Sequence, residues 1–150
     1  MPSLKEDIVT ACEHHLKDKV HSLTNMVSEL SDSANNETKS SAGDKHETGR
    51  AMMQLEQEKL GKQLKEAEEQ LAEFQKVDFS KQSSLIGQGS LVETDKGYFF
   101  MAGSIGKIQV SGKAVFVISR RSPLALVFMG KKQKDTVMFN GVSYRINAVL

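Results

Sequence analysis

The strongest constraint on how this chain folds is a repeating apolar stripe in its first half. Apolar residues fall at Leu16, Val20, Leu23, Val27 and Leu30, alternating steps of four and three as the a and d positions of a heptad do. After the polar stretch Ser31 to Gly49 the rhythm returns at Met53, Gln57, Leu60, Leu64, Ala67, Leu71 and Phe74, with only Gln57 out of character. Two long helices are therefore expected. If the chain reverses near Ala42 and Gly43, Leu30 faces Met53, Leu23 faces Leu60 and Leu16 faces Ala67. That register favours an antiparallel hairpin within one chain and a monomer, although a parallel dimer would use the same heptads. Gly61, inside the second arm, costs about 1 kcal/mol relative to Ala, which the stripe absorbs.

The second half has a different grammar. Ser90 to Thr94, Tyr98 to Ala102, Lys107 to Val110, Ala114 to Ser119, Thr136 to Asn140 and Ser143 to Val149 read as strands. Turn residues stand between them at Asp95-Lys96-Gly97, Ser111-Gly112-Lys113 and Asn140-Gly141. Ser122-Pro123 opens a short helix that runs to Met129, with Gly130 closing it. The fold class is thus α+β, with residues 1–78 forming the helical hairpin and residues 79–150 a small antiparallel β domain with one short helix.

Charge divides at the same place. Met1 to Asp78 holds 10 Lys/Arg against 16 Asp/Glu, whereas Phe79 to Leu150 holds 10 against 3, so a net charge of +1 hides an acidic half and a basic half. Arg120, Arg121, Lys131, Lys132 and Lys134 make the basic patch of the second half, read either as a solvated face or as a surface for acidic protein or nucleic acid. With few aromatics and no Trp, a base-stacking platform is not expected. The single cysteine, Cys12, excludes an intrachain disulfide and fits a cytoplasmic location. No run approaches the roughly 20 apolar residues that span a bilayer, so no membrane role is expected.

At the expected turn, Asp44 and Glu47 stand three apart where the second helix should begin. Asp followed three residues later by Glu is the capping-box arrangement, the simplest reading. Two carboxylates at the end of a long stalk can instead serve a metal ion held mainly by another protein. Hard oxygen ligands suit Mg²⁺, and two of them are too few for a complete site. His46 lies between the acids, while His14, His15 and His21 read as helix-surface or seam residues, since no His/Cys cluster has zinc spacing.

Gly43-Asp44-Lys45-His46-Glu47-Thr48-Gly49 resembles the tip segment of the bacterial GreA and GreB transcript-cleavage factors, Gly-Asp-x-x-Glu-Asn-Ala. Ser122-Pro123-Leu124-Ala125, then Gly130-Lys131-Lys132 and Asp135, resembles that family's Ser-Pro-Leu-Ala-Arg-Ala-Leu-Ile-Gly-Lys-Lys-x-Gly-Asp segment in order and spacing. The sequence departs from it where Thr48-Gly49-Arg50-Ala51 replaces Asn-Ala-Glu-Tyr and where Leu126 replaces Arg. The resemblance implies an FKBP-like second domain and a partner, RNA polymerase, whose secondary channel the hairpin enters. Ser122, Pro123, Leu124, Ala125, Gly130 and Lys131 would then meet the polymerase. It further implies that Asp44 and Glu47 share a Mg²⁺ with that enzyme, with nascent RNA and DNA nearby. The chain would be an accessory factor, not an enzyme alone. A regulator that occupies the channel without promoting cleavage and a coiled-coil adaptor with no polymerase link are the alternatives.

Overall fold

A computed structural model of the chain describes the backbone of residues 3–39 and 44–150 and the side chains of residues 3–33 and 49–150. Two long helices come first, α1 (Leu4–Lys39) and α2 (Asp44–Lys76). Six strands follow, β1 (Leu91–Thr94), β2 (Gly97–Met101), β3 (Gly106–Val110), β4 (Lys113–Ile118), β5 (Thr136–Phe139) and β6 (Val142–Val149). A third helix, α3 (Pro123–Phe128), lies between β4 and β5. The expected turn at Ala42 and Gly43 lies outside the described residues. No helix among the described residues is long and apolar enough to cross a membrane.

The chain separates into two compact units, Leu16–Ala72 and Met1–His15 with Glu73–Leu150. In the first unit every apolar stripe position is buried or half-buried: Leu16, Leu23 and Ala67 are buried, and Val20, Val27, Leu30, Met53, Leu60, Leu64 and Leu71 are half-buried. Lys19, Ser22 and Leu23 of α1 and Gln63, Glu66, Ala67 and Gln70 of α2 line one cleft, so the two helices are neighbours there. The stripe also continues toward the N-terminus, inside the second unit, through Cys12, Ile8 and Lys5, all buried. Cys12 is thus a packing residue, and burial pushes its thiol up to about 12, which keeps it protonated and unreactive.

The strands form one sheet in the order β3-β4-β2-β1-β6-β5. The expectation of a wholly antiparallel domain is corrected in one place, because β2 and β4 run parallel, with Tyr98 opposite Val115 and Met101 opposite Ile118. The tight β3–β4 hairpin is placed with its second strand, not its first, against β2. The connection through Ala102 to Ile105 carries the chain past one strand position, held by Ala102 and Gly103 N–H groups that both donate to the Ile118 carbonyl. Each strand alternates in register with its neighbours, so the sheet has two apolar faces. One is a core of Val92, Phe99, Met101, Val137 and Ile146 roofed by Ala125 and Phe128 of α3. On the other lie Leu91, Phe100, Val115 and Val117, with the Phe79 ring 5.3 Å from Phe100 and the Phe74 ring 4.8 Å from Phe79.

Candidate functional site

Ser122 to Asp135 is built from local hydrogen bonds that explain its residue types. Ser122 has extended backbone and caps α3, its Oγ accepting from the Ala125 N–H at 3.3 Å and donating to the Ser119 carbonyl at 2.7 Å. Pro123 occupies the first turn, where a missing N–H costs nothing. Gly130 takes φ 78 just past the helix, a conformation glycine adopts without penalty, and its N–H donates to the Ile86 carbonyl at 2.9 Å. The Ile86 N–H returns a bond to the Lys131 carbonyl at 2.8 Å. Asp135 ends the segment by accepting from the Lys132 N–H at 3.0 Å. Four of the motif's residues therefore carry the shape of the segment.

The same geometry sorts the motif by access. Ala125 is fully buried and Leu124 packs against the core, so neither presents much side chain to solvent. Pro123, Leu126, Gly130, Lys131, Lys132 and Lys134 are exposed, as are Arg120 and Arg121 at the other end of α3. Leu126 is 62% exposed, a large apolar side chain on the outer surface of this helix. Sequence patterning flagged the segment but not that an apolar knob, flanked by cations at either end of its helix, is what it shows to solvent.

The other candidate residues are only partly visible. α2 begins at Asp44, so Asp44 and Glu47 belong to its first turn, as expected. Their side chains, and that of His46, lie outside the described residues. His14, His15 and His21 are exposed on α1, and His21 Nε2 stands 3.4 Å from Asn25 Nδ2. Among the described residues no group of three or more His, Cys, Asp or Glu side chains stands together as a metal ion would require.

Lys5 is the residue that sequence reasoning missed. It is 8% exposed and its Nζ has no hydrogen-bond partner. Desolvation holds its amine below the ordinary lysine range, an effect that the Asp78 carboxylate partly opposes. Asp78 is itself held below the usual carboxylate range, chiefly by hydrogen bonds from the side chain and backbone of Ser80. The signal was its position, three residues before Ile8 on the line of the heptad stripe.

Compared with known proteins, the chain matches no family model and no curated protein.

Proposed function

We propose that this protein is a Gre-type transcription elongation factor, in which α1 and α2 form an antiparallel coiled-coil hairpin and the sheet with α3 is an FKBP-like domain. The reading rests on one observation, the co-occurrence in one chain of the Gly43-Asp44 to Glu47 tip segment and the Ser122 to Asp135 segment, in the family's order. On this reading the basic domain holds the rim of the polymerase secondary channel through Pro123, Lys131 and their neighbours. The hairpin brings Asp44 and Glu47 to the polymerase active centre. Asp44 and Glu47 would help hold a second Mg²⁺ beside the polymerase's own, and of the two ions one would aid the attacking water and the other the leaving oxygen in RNA hydrolysis. The protein's own part is to deliver two carboxylates and orient them from the first turn of one helix.

The departures at Thr48 to Ala51 and at Leu126 motivate a second reading, a channel-occupying regulator that leaves the transcript intact. A neutral, 62% exposed Leu126 replaces a cation on the surface assigned to polymerase contact. The two separate in a stalled transcription complex supplied with Mg²⁺. Shortening of the transcript on adding the protein is the result expected of a cleavage factor, and retention on core polymerase without shortening supports the regulator. Failure to bind core polymerase at all in a pull-down contradicts both and leaves a cytoplasmic coiled-coil adaptor.

A further inference from the structure

The β3–β4 hairpin, residues 106–118, carries Lys107 and Lys113 and not one Asp or Glu, and both lysines are exposed. β3 lies inside this stretch, at the edge of the sheet. It pairs with β4 in five uninterrupted steps from Gly106↔Val117 to Val110↔Lys113, with neither bulge nor proline to blunt it. The joining turn, Ser111-Gly112 at φ 52 and 76, is the two-residue type whose flanking residues form a hydrogen-bonded pair. Counting from Val110, the groups of Ile108 and Gly106 also point to β4. Those of Lys107 and Gln109 therefore point outward. Both residues are exposed, and among the described residues no strand pairs with that edge. β5, the opposite edge, is by contrast in contact with α3.

The two faces of this edge differ in chemistry. Lys107 Nζ stands 5.9 Å from the centre of the Phe116 ring directly across the hairpin, so a cation stands over an aromatic floor on one face. On the other, Ile108 is half-buried beside the buried Val115. A strand laid along β3 alternates its side chains between these faces.

We propose that the outer edge of β3 receives an extended acidic segment of a partner protein as an added strand, with carboxylates on the Lys107 face and apolar side chains on the Ile108 face. Charge selects the occupant. A second copy pairing through β3 brings two acid-free hairpins together, each carrying Lys107 and Lys113, whereas an acidic strand meets only opposite charge. Nucleic acid satisfies the cations but leaves the outward amides of Lys107 and Gln109 unused. This site is separate from Ser122 to Asp135 and does not rest on the transcription reading.

The test uses the full-length, nitrogen-labelled protein and a synthetic peptide of alternating Glu and Val, with a shuffled peptide of the same composition and a single-stranded RNA as competitors. Saturable binding of the alternating peptide, with slowed amide exchange at Lys107 and Gln109, is the expected result. Gln109→Pro removes an outward N–H and no ladder bond, and Lys107→Glu reverses the recognising charge. Each should weaken binding about tenfold or more while leaving the thermal midpoint nearly unchanged. Absence of binding overturns the proposal, as does equal binding of the shuffled peptide or RNA without amide protection, which reveals diffuse attraction. Concentration-dependent dimerisation lost in Gln109→Pro overturns it in favour of a second copy.

Discussion

Lys134 sits at φ 80, a left-handed conformation that costs a residue with a Cβ about 1–2 kcal/mol. Its N–H donates to the Ile146 carbonyl at 2.8 Å, so the strain is held by the β6 backbone and not by anything the lysine side chain does. Lys134→Gly should therefore stabilise the protein by about 0.5–1 kcal/mol, once the added freedom of an unfolded glycine is subtracted. A rise in urea midpoint checks it. Lys5 presents the opposite case, a favourable backbone with an ill-placed head group. Its buried, unbonded amine is penalised when protonated, so Lys5→Met should add about 1–2 kcal/mol at neutral pH. Because the folded amine titrates below the unfolded one, wild-type stability rises as pH climbs through the folded value and levels off above the ordinary lysine range. The advantage of Lys5→Met should accordingly shrink between pH 7 and pH 11 in paired urea titrations, and an advantage independent of pH contradicts the assigned cause.

Among the elements, α3 shows how much a short sequence signal can carry. Six residues form a marginal helix, so its cap matters more than in α1 or α2. Ser122→Ala should cost about 1 kcal/mol and Ser122→Asp about none, measured by chemical denaturation. Strands, turns and caps were legible because each is written locally: the short apolar run Tyr98 to Met101, turn chemistry at Asn140-Gly141, whose φ values are 50 and 77, and Ser-Pro at the start of α3. The parallel β2–β4 pair was not legible. Whether Phe99 lies beside Phe116 or beside β3 depends on which strand of a hairpin docks, and both strands carry suitable apolar residues. The heptad stripe was likewise legible from Leu16 onward, but its extension through Cys12, Ile8 and Lys5 was masked by a cysteine and a lysine that do not read as seam residues.

At the scale of the whole molecule, composition breaks near Lys76 to Ser84, yet the compact unit that contains the sheet also takes in Met1–His15 and the end of α2 from Glu73. Ile8, Cys12, Phe74 and Phe79 are all buried or half-buried within it. A fragment of residues 79–150 should therefore be less stable than the intact chain, and adding back residues 73–78 should restore only part of the loss. Thermal midpoints of the fragments and the intact chain test this, and equal midpoints would show that the sheet needs none of the helical residues. Of the candidate site, the cap-and-turn skeleton of Ser122 to Asp135 could be read from residue types, whereas the outward display of Leu126 required the helix to be placed. Asp44 and Glu47 were chosen by spacing and resemblance, and two acids in the first turn of α2, where the helix dipole favours negative charge, need no further role to explain them. Function and helix stability separate in Asp44→Asn, since Asn keeps the shape and the accepting oxygen of Asp but carries no charge. In a stalled transcription complex with Mg²⁺, this variant should bind core polymerase and melt like the wild type while cleavage of the backtracked transcript is lost; cleavage at the wild-type rate would contradict the role given to Asp44.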